Sequence, residues 1–190
     1  MSQIPWVIGE NVPWSVAWTG EASFRVVDSV DFPGFKEVDQ RQQPGEGTPV
    51  FSTMHVTRQR RGMFQHLCHV CGKPTPANDR FLFPLESGGM VAMGDGAFRY
   101  GGSVPPVHGA CGESARVRCP HLRGFKGVAV PFPALEGRMI YRTDVVPGLE
   151  ALARDLPQGE PIILTCYRLH EAEFTDTVLA LQTEYGLNRP

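Results

Sequence analysis

The first third of the chain carries the alternating pattern of a strand with one face in the core. Trp14, Val16 and Trp18 alternate with two small residues, which is the two-residue period of a half-buried strand. Residues 19–21 have the composition of a turn, and the apolar run at 24–27 is typical of a returning strand. The pattern predicts a β-hairpin formed by these two strands.

A short amphipathic helix is predicted next, over residues 57–67. Met63, Phe64 and Leu67 are spaced to lie on one helical face and to pack inward. The exposed side of the helix is expected to carry Arg58, Arg60 and Arg61.

The middle of the chain predicts a second hairpin and a second helix. The apolar runs at 81–85 and 90–93 flank a Ser-Gly-Gly turn at 87–89, and residues 94–106 are rich enough in glycine and proline to predict a loop. A helix is expected to continue through residues 112–118 and to end before Pro120.

The C-terminal third predicts strands at 128–130, 139–141 and 162–167. Cys166 lies in the last and most apolar of these runs and is predicted to be a buried core thiol. Two helices are also expected. The first is marked by Leu149, Leu152 and Leu156, and the second by a stripe of Phe174, Val178, Leu181 and Tyr185 with Gly186 as its C-cap.

Together these elements predict an α+β protein that forms one domain. We expect a β-rich N-terminal segment over residues 1–57, a metal-binding module over 58–126 and a C-terminal segment over 127–190 that packs on the same core. The 190 residues suffice for one sizeable core, and 42% hydrophobic with 20% charged residues is typical of globular proteins.

Composition also bears on location. No apolar run approaches the roughly 18 residues that span a bilayer, so no membrane association is predicted. The N-terminus lacks the cationic start of a secretory signal, which favours the cytoplasm. In that reducing compartment, pairs of cysteines indicate metal ligands before disulfides, and an odd total of five also fits a disulfide framework poorly.

The net charge of −2 is unevenly distributed. Residues 58–126 contain ten Lys and Arg against four Asp and Glu, and acidic segments flank them. The basic segment could bind nucleic acid, or the flanks could neutralise it in the folded protein. The candidate nucleic-acid-binding residues are Arg58, Arg60, Arg61, Arg116, Arg118, Arg123 and Lys126.

Two widely separated pairs of metal-binding residues are the strongest chemical signal. Cys68 and Cys71 form one pair, His108 and Cys111 the other, and 36 residues lie between them. Structural zinc sites fill four tetrahedral positions with Cys and His, and two locally arranged pairs supply such a set. The sequence therefore predicts a structural Zn²⁺ ion.

Further candidate ligands surround these pairs. Cys119 and His121 could replace His108 or belong to a second, incomplete site. His66 and His69 flank the first pair and are expected at the surface or behind the ligands.

The arrangement resembles the treble-clef class of zinc folds. In that class a knuckle with the first ligand pair, here Cys68-x-x-Cys71-Gly72, precedes a β-hairpin, and a helix bears the second pair in its first turn. The pair His108-x-x-Cys111 matches that helix start. The resemblance covers about residues 58–122.

The arginine-rich lead-in also resembles that of HNH nucleases, which place a catalytic metal on a treble clef. Those enzymes require a histidine on the hairpin, and this chain has no histidine between Cys71 and His108. The chain is also similar to a group of bacterial and phage proteins in its residues 67–72, 105–111 and 116–122. This resemblance implies zinc binding and does not indicate any particular activity.

We therefore expect a zinc-stabilised, non-enzymatic binding or adaptor protein that contacts nucleic acid or protein. For a protein partner or for self-association, the candidate contact is the aromatic N-terminal segment that contains Trp6, Trp14 and Trp18. The alternative is a metal-dependent enzyme, either an HNH-like nuclease with an atypical site or a biosynthetic or modifying enzyme.

Overall fold

The structure, a computed structural model, describes residues 5–82, 88–119, 122, 130–132, 138–143 and 161–184. Eight strands are found there: β1 (Val16–Trp18), β2 (Phe24–Asp28), β3 (Lys36–Gln40), β4 (Pro49–Met54), β5 (Gly88–Ala92), β6 (Phe98–Gly102), β7 (Arg138–Thr143) and β8 (Ile162–Leu169). The α-helices are α1 (Val56–Gln65), α2 (Gly109–Arg118) and α3 (Ala172–Glu184). The predicted α+β class is confirmed. None of these helices has the length and apolar character needed to span a membrane.

Strand β8 is the centre of the larger sheet, in agreement with its apolar sequence. Five other strands belong to this sheet, in the order β2-β3-β8-β6-β5, with β7 also paired to β8. Strand β3 runs parallel to the start of β8, whereas β6 and β7 are antiparallel to it. All three predicted segments of the chain contribute strands, which accounts for a single domain.

Side chains of α1 complete the hydrogen bonding of β8. Because β7 runs along one edge of β8, β3 and β6 share the other edge, at its two ends. Between them, the Gln59 amide accepts a hydrogen bond from the Cys166 N–H (3.0 Å) and donates one to the Cys166 carbonyl (2.8 Å). Arg60 donates to the Leu164 carbonyl at 2.8 Å. Side chains of the helix therefore make the hydrogen bonds that a neighbouring strand would make at this position, since buried backbone groups must be paired.

The predicted orientation of α1 was wrong for two of its three arginines. Arg58 and Arg60 are each 2% exposed, and only Arg61 lies at the surface. Phe64 is instead 42% exposed and makes an edge-on contact with Phe32. The polar face is buried because acidic partners meet it there.

The first of these partners is Glu21, which is itself fully buried. Both of its carboxylate oxygens accept hydrogen bonds from the Arg58 guanidinium at 2.7 Å. The backbone N–H groups of Trp18 and Gln43 also donate to it, at 2.9 Å each. Burial raises the pKa of Glu21, but the bonds from Arg58 and the backbone outweigh burial, and the pKa lies below its usual value. Arg60 has a similar partner in Glu37, at 3.2 Å.

The pairing of the N-terminal strands also differs from the prediction. Strand β1 pairs with β4 in a separate two-stranded sheet, and β2 pairs with β3. The three residues of β1 are all buried, so the strand is covered on both faces. The pairing with β4 was not predicted because β4 has no strong alternation of apolar and polar residues and 30 residues separate it from β1. Pairing over this distance depends on tertiary contacts.

The second hairpin is shifted along the chain. Strand β5 pairs with β6, so a strand occupies part of the predicted loop at 94–106. The turn lies at Asp95 and Gly96, where Gly96 has φ +84 and the Asp95 carboxylate accepts from the Ala97 N–H. From the predicted first strand, Phe81 forms bridges with Val107 and Pro131, while residues 83–87 lie outside the described part.

The core predictions for the C-terminal helix and Cys166 are confirmed. Phe174, Val178 and Leu181 of α3 pack in a cluster with Tyr100 and Val130, and Cys166 is 4% exposed. The predicted strand residues 128 and 129, the leucine helix at 149–156, and Tyr185 and Gly186 lie outside the described residues.

Removing the Glu21 carboxylate should strongly destabilise the protein. We expect Glu21→Ala to lower the free energy of unfolding by about 3–5 kcal/mol, because it leaves the Arg58 charge buried without its partner. Denaturant unfolding followed by far-UV circular dichroism would measure this.

The matched control is Asp28→Ala, which removes a carboxylate whose side chain is 87% exposed and pairs with Lys36. It should cost less than about 1 kcal/mol. Equal losses in the two variants would show that the Glu21–Arg58 pair does not hold α1 in place.

Candidate metal centre

The first ligand pair lies in a tight turn that starts just after α1. The Cys68 N–H donates to the Lys73 carbonyl and the Gly72 N–H to the Cys68 carbonyl, both at 2.8 Å. Leu67 and Pro74 close the turn with a β-bridge. These bonds bring the side chains of Cys68 and Cys71 to the same side.

Gly72 is required in this turn for two reasons. Its φ of +73 lies in the left-handed region, which residues with a Cβ rarely adopt. A Cβ at this position would also lie 2.6 Å from Cγ of Trp14, whose ring packs directly on the glycine. The Trp14 N–H donates to the Val70 carbonyl at 2.8 Å, so the segment before β1 supports the turn.

The second ligand pair is presented by the start of α2. His108 is the residue that precedes the helix, and Cys111 lies in its first turn. Two backbone hydrogen bonds of 2.9 Å between Phe81 and Val107 fix the chain just before His108. The Asp79 carboxylate accepts a hydrogen bond from the Gly109 N–H at 2.7 Å, which caps the helix from a distant segment.

The four predicted ligands converge on one point. The ligand atoms of Cys68, Cys71, His108 and Cys111 all lie within 4.8 Å of one another. Nδ1 of His108 is 3.5 Å from the Cys71 sulfur and 3.8 Å from the Cys111 sulfur. A tetrahedral ion with bonds of about 2.3 Å to sulfur and about 2.0–2.1 Å to nitrogen needs sulfur–nitrogen separations of about 3.6 Å. The cluster can therefore hold a metal ion.

The hydrogen bonding of His108 selects the nitrogen that faces the cluster. Nε2 lies 3.0 Å from the carbonyl oxygen of Pro74, which can only accept a hydrogen bond. Nε2 therefore carries the proton, and Nδ1 presents a free lone pair to the cysteine sulfurs. This is the arrangement that metal-binding histidines use, with a carbonyl behind the ring that orients it.

The electrostatics of the three thiols favour a cation between them. Burial raises the pKa of Cys68, although hydrogen bonds from the backbone of Cys71, His108 and Val70 favour its thiolate. Burial, followed by the nearby sulfurs of Cys68 and Cys71, raises the pKa of Cys111 to about 12. A divalent ion would lower the pKa of both thiols, because its positive charge stabilises the buried and mutually repelling thiolates.

The other histidines and cysteines near the motif are placed differently. Cys119 lies at the far end of α2 and is not among the four clustered ligands, and His121 lies outside the described residues. His69 is buried, with Nδ1 2.6 Å from the Ser15 hydroxyl, and its burial lowers its pKa to about 4. All five cysteines are free, so no disulfide competes for the ligands.

The basic residues do not form one surface in the described part of the chain. Arg58 and Arg60 are buried in the core. Arg116 pairs with Glu113 on α2, and Arg118 donates to the Glu10 carbonyl at 2.9 Å. Arg61 is exposed, whereas Arg123 and Lys126 lie outside the described residues.

Three contributors to the site were not foreseen from the sequence. Asp79 and the Pro74 carbonyl each act across about 30 residues, and Trp14 acts across more than 50. No local pattern marks such partners. By contrast, the need for a glycine at position 72 could be predicted from the sequence, because Gly72 directly follows Cys71.

Comparisons of this chain with protein families, with curated proteins and with solved structures find no match.

Loss of the distant helix cap should weaken metal binding. We expect Asp79→Ala to lower the affinity for Zn²⁺ about 10–100-fold, because Gly109, next to the ligand His108, loses its hydrogen-bond acceptor. Competition with a chromophoric chelator would measure the affinity.

Two controls distinguish this effect from general destabilisation. Asp79→Asn retains a carbonyl oxygen that can accept the same bond and should lose less affinity. Asp95→Ala removes an aspartate from the β5–β6 turn and should leave the affinity unchanged. An unaltered affinity in Asp79→Ala would contradict the proposed capping.

Proposed function

We propose that the chain is a zinc-stabilised, non-enzymatic binding or adaptor protein whose zinc module is a treble clef. The observation that carries this proposal is the set of four converging ligands, three sulfurs and one imidazole nitrogen. The element order supports the fold assignment: a turn with two ligands, the β5–β6 hairpin, and then a helix with two ligands. A tetrahedral set rich in thiolate favours Zn²⁺ among the common divalent ions.

The ligand count favours a structural role for the ion. Catalytic zinc sites keep an open position for water or substrate beside three protein ligands, whereas four protein ligands are in place here. The nuclease alternative also lacks its base, since no histidine lies between Cys71 and His108. The nearby Asp79 is engaged as a helix cap. The free state of all five cysteines supports a cytoplasmic setting.

A protein partner is better supported than nucleic acid. Trp6 is 51% exposed and Phe51 48% exposed, and their rings meet edge-on with centroids 5.7 Å apart. With the adjacent Val7 and Ile8 they form an N-terminal aromatic surface. Trp18 is buried and Trp14 half-buried, so Trp6 is the tryptophan that can contact a partner. Among the basic candidates in the described residues, Arg58 and Arg60 are buried and Arg116 and Arg118 have partners, which leaves Arg61 as an isolated exposed charge.

Removal of the metal should unfold the zinc module. We expect the chain to contain one zinc ion and to lose more than about 5 kcal/mol of stability after complete removal, because structural zinc contributes roughly 10–16 kcal/mol in small zinc peptides. Thermal unfolding before and after chelation, with zinc added back as the control, would measure this.

X-ray absorption at the zinc edge should give three sulfur ligands and one nitrogen ligand. An open coordination position occupied by water would favour the enzyme alternative. Unchanged stability after complete loss of zinc would contradict the structural role.

The N-terminal aromatic surface should mediate self-association. We expect concentration-dependent dimers in sedimentation experiments, and Trp6→Ser should weaken association more than tenfold because large aromatic residues dominate such contacts. Phe98→Ser, which alters a 62% exposed residue elsewhere, is the matched control.

The same samples can test nucleic acid as the partner. Anisotropy with labelled single- and double-stranded oligonucleotides at low salt should show no binding. A strictly monomeric protein whose oligonucleotide affinity falls steeply with salt would instead favour the nucleic-acid hypothesis.

A further inference from the structure

The four ligand side chains differ in their access to solvent. Cys68 is 0% exposed and lies beneath the turn, where backbone groups bond its sulfur. Cys71 and Cys111 are only half-buried, and so is His108. A small oxidant in solution therefore reaches the sulfurs of Cys71 and Cys111 before that of Cys68.

These two accessible sulfurs are also close neighbours on separate elements. The sulfur of Cys111 lies within hydrogen-bonding reach of the sulfurs of both Cys68 and Cys71, but only Cys71 shares its access to solvent. The sulfurs of Cys71 and Cys111 also both contact Nδ1 of His108. A disulfide requires a sulfur–sulfur distance of about 2.0 Å, so formation needs a further approach of only a few ångströms. Helix α2, which carries Cys111, has no fully buried residue, so little packing opposes this approach.

The remaining cysteines are poorly placed for the same reaction. Cys166 is 4% exposed within the central strand β8. Cys119 is accessible, but it lies eight residues beyond Cys111 at the other end of α2 and outside the ligand cluster. Cys68 belongs to the ligand cluster but is buried, and Cys119 and Cys166 lie outside that cluster, so Cys71 and Cys111 are the accessible neighbouring pair.

We propose that Cys71 and Cys111 form an oxidation site, at which hydrogen peroxide converts the two zinc-bound thiolates into a disulfide and releases the metal. The inference rests on the proposed structural zinc. The Cys71 thiolate attacks one peroxide oxygen, giving a sulfenic acid and a hydroxide ion as the O–O bond breaks. The Cys111 thiolate then attacks the Cys71 sulfur, forms the S–S bond and expels a second hydroxide ion.

This reaction leads to the loss of zinc because it consumes two of the thiolates that bind the ion. The two sulfurs give up two electrons, and the peroxide takes them. Two of the four ligands are consumed, and Cys68 and His108 remain as an incomplete set. A dithiol reductant returns both electrons, restores the thiolates and allows zinc to bind again. Metal occupancy, and with it the folded state of the module, becomes dependent on oxidant.

The test uses the full chain loaded with zinc and treated with hydrogen peroxide. We expect one zinc ion to be released for each peroxide consumed. A chromophoric chelator that binds the released zinc would measure this. Peptide mapping by mass spectrometry should show a disulfide that joins Cys71 to Cys111. Dithiothreitol with added zinc should restore the metal content. Mapping of the disulfide to Cys68 or Cys119, or retention of zinc under peroxide, would overturn the proposal.

Two variants sharpen the test. Cys119→Ser should release zinc at the wild-type rate. Cys111→His keeps four potential ligands but removes the second thiolate, and its zinc release should be at least about 10-fold slower. Release as fast as in the wild type would overturn the pairing. If Cys111→His fails to bind zinc, disulfide mapping in the wild-type chain still decides between the outcomes.

The result separates this inference from the proposal it rests on. A protein that is isolated without zinc, and that folds equally well without it, contradicts the structural zinc. A protein that contains zinc and keeps it under peroxide contradicts only the oxidation site.

Discussion

The need to pair the buried backbone of β8 is the constraint on which the rest of the structure depends. Strands β3 and β6 reach only the two ends of one edge of β8, and the gap between them is closed by Gln59 and Arg60 of α1. This requirement places a polar helical face in the core. It also explains why Arg58 needs a buried acidic partner, since an unpaired charge there would be very costly.

The same helix sets the position of the candidate metal centre. Helix α1 ends at Gln65, and the next residue, His66, has a φ of +54 that leads the chain into the tight turn that carries Cys68 and Cys71. The first ligand pair is thus fixed by the sheet through a few residues of chain. The second pair is fixed by weaker means, because α2 has no fully buried residue and depends on the Phe81–Val107 bridge and the Asp79 cap. A metal ion would join a firmly held half-site to a loosely held one.

This asymmetry links the chemistry of the site to its proposed role. A closed set of four ligands suits an ion that holds two segments together and leaves no position for a substrate. Helix α2 packs on the core through the candidate ligand Cys111 and through Ala115, so a bound metal ion would strengthen its docking. Because Cys71 and Cys111 are only half-buried, the proposed oxidation acts on the metal site and leaves the sheet unchanged.

The sequence by itself determined the four candidate ligands, the α+β class, the apolar strand β8 and the packed stripe on α3. Each of these follows from local spacing or periodicity, because ligand pairs and helical stripes lie within a few residues of one another. Only the tertiary structure decided that β1 pairs with β4, that Arg58 and Arg60 face inward, and that Asp79 and the Pro74 carbonyl support the ligands. An arginine on an exposed helical face and an arginine that faces a buried carboxylate look alike in sequence. The difference lies in distant partners such as Glu21, which is 37 residues from Arg58. Such pairings are selected by burial and by the cost of unpaired polar groups, which no local pattern records.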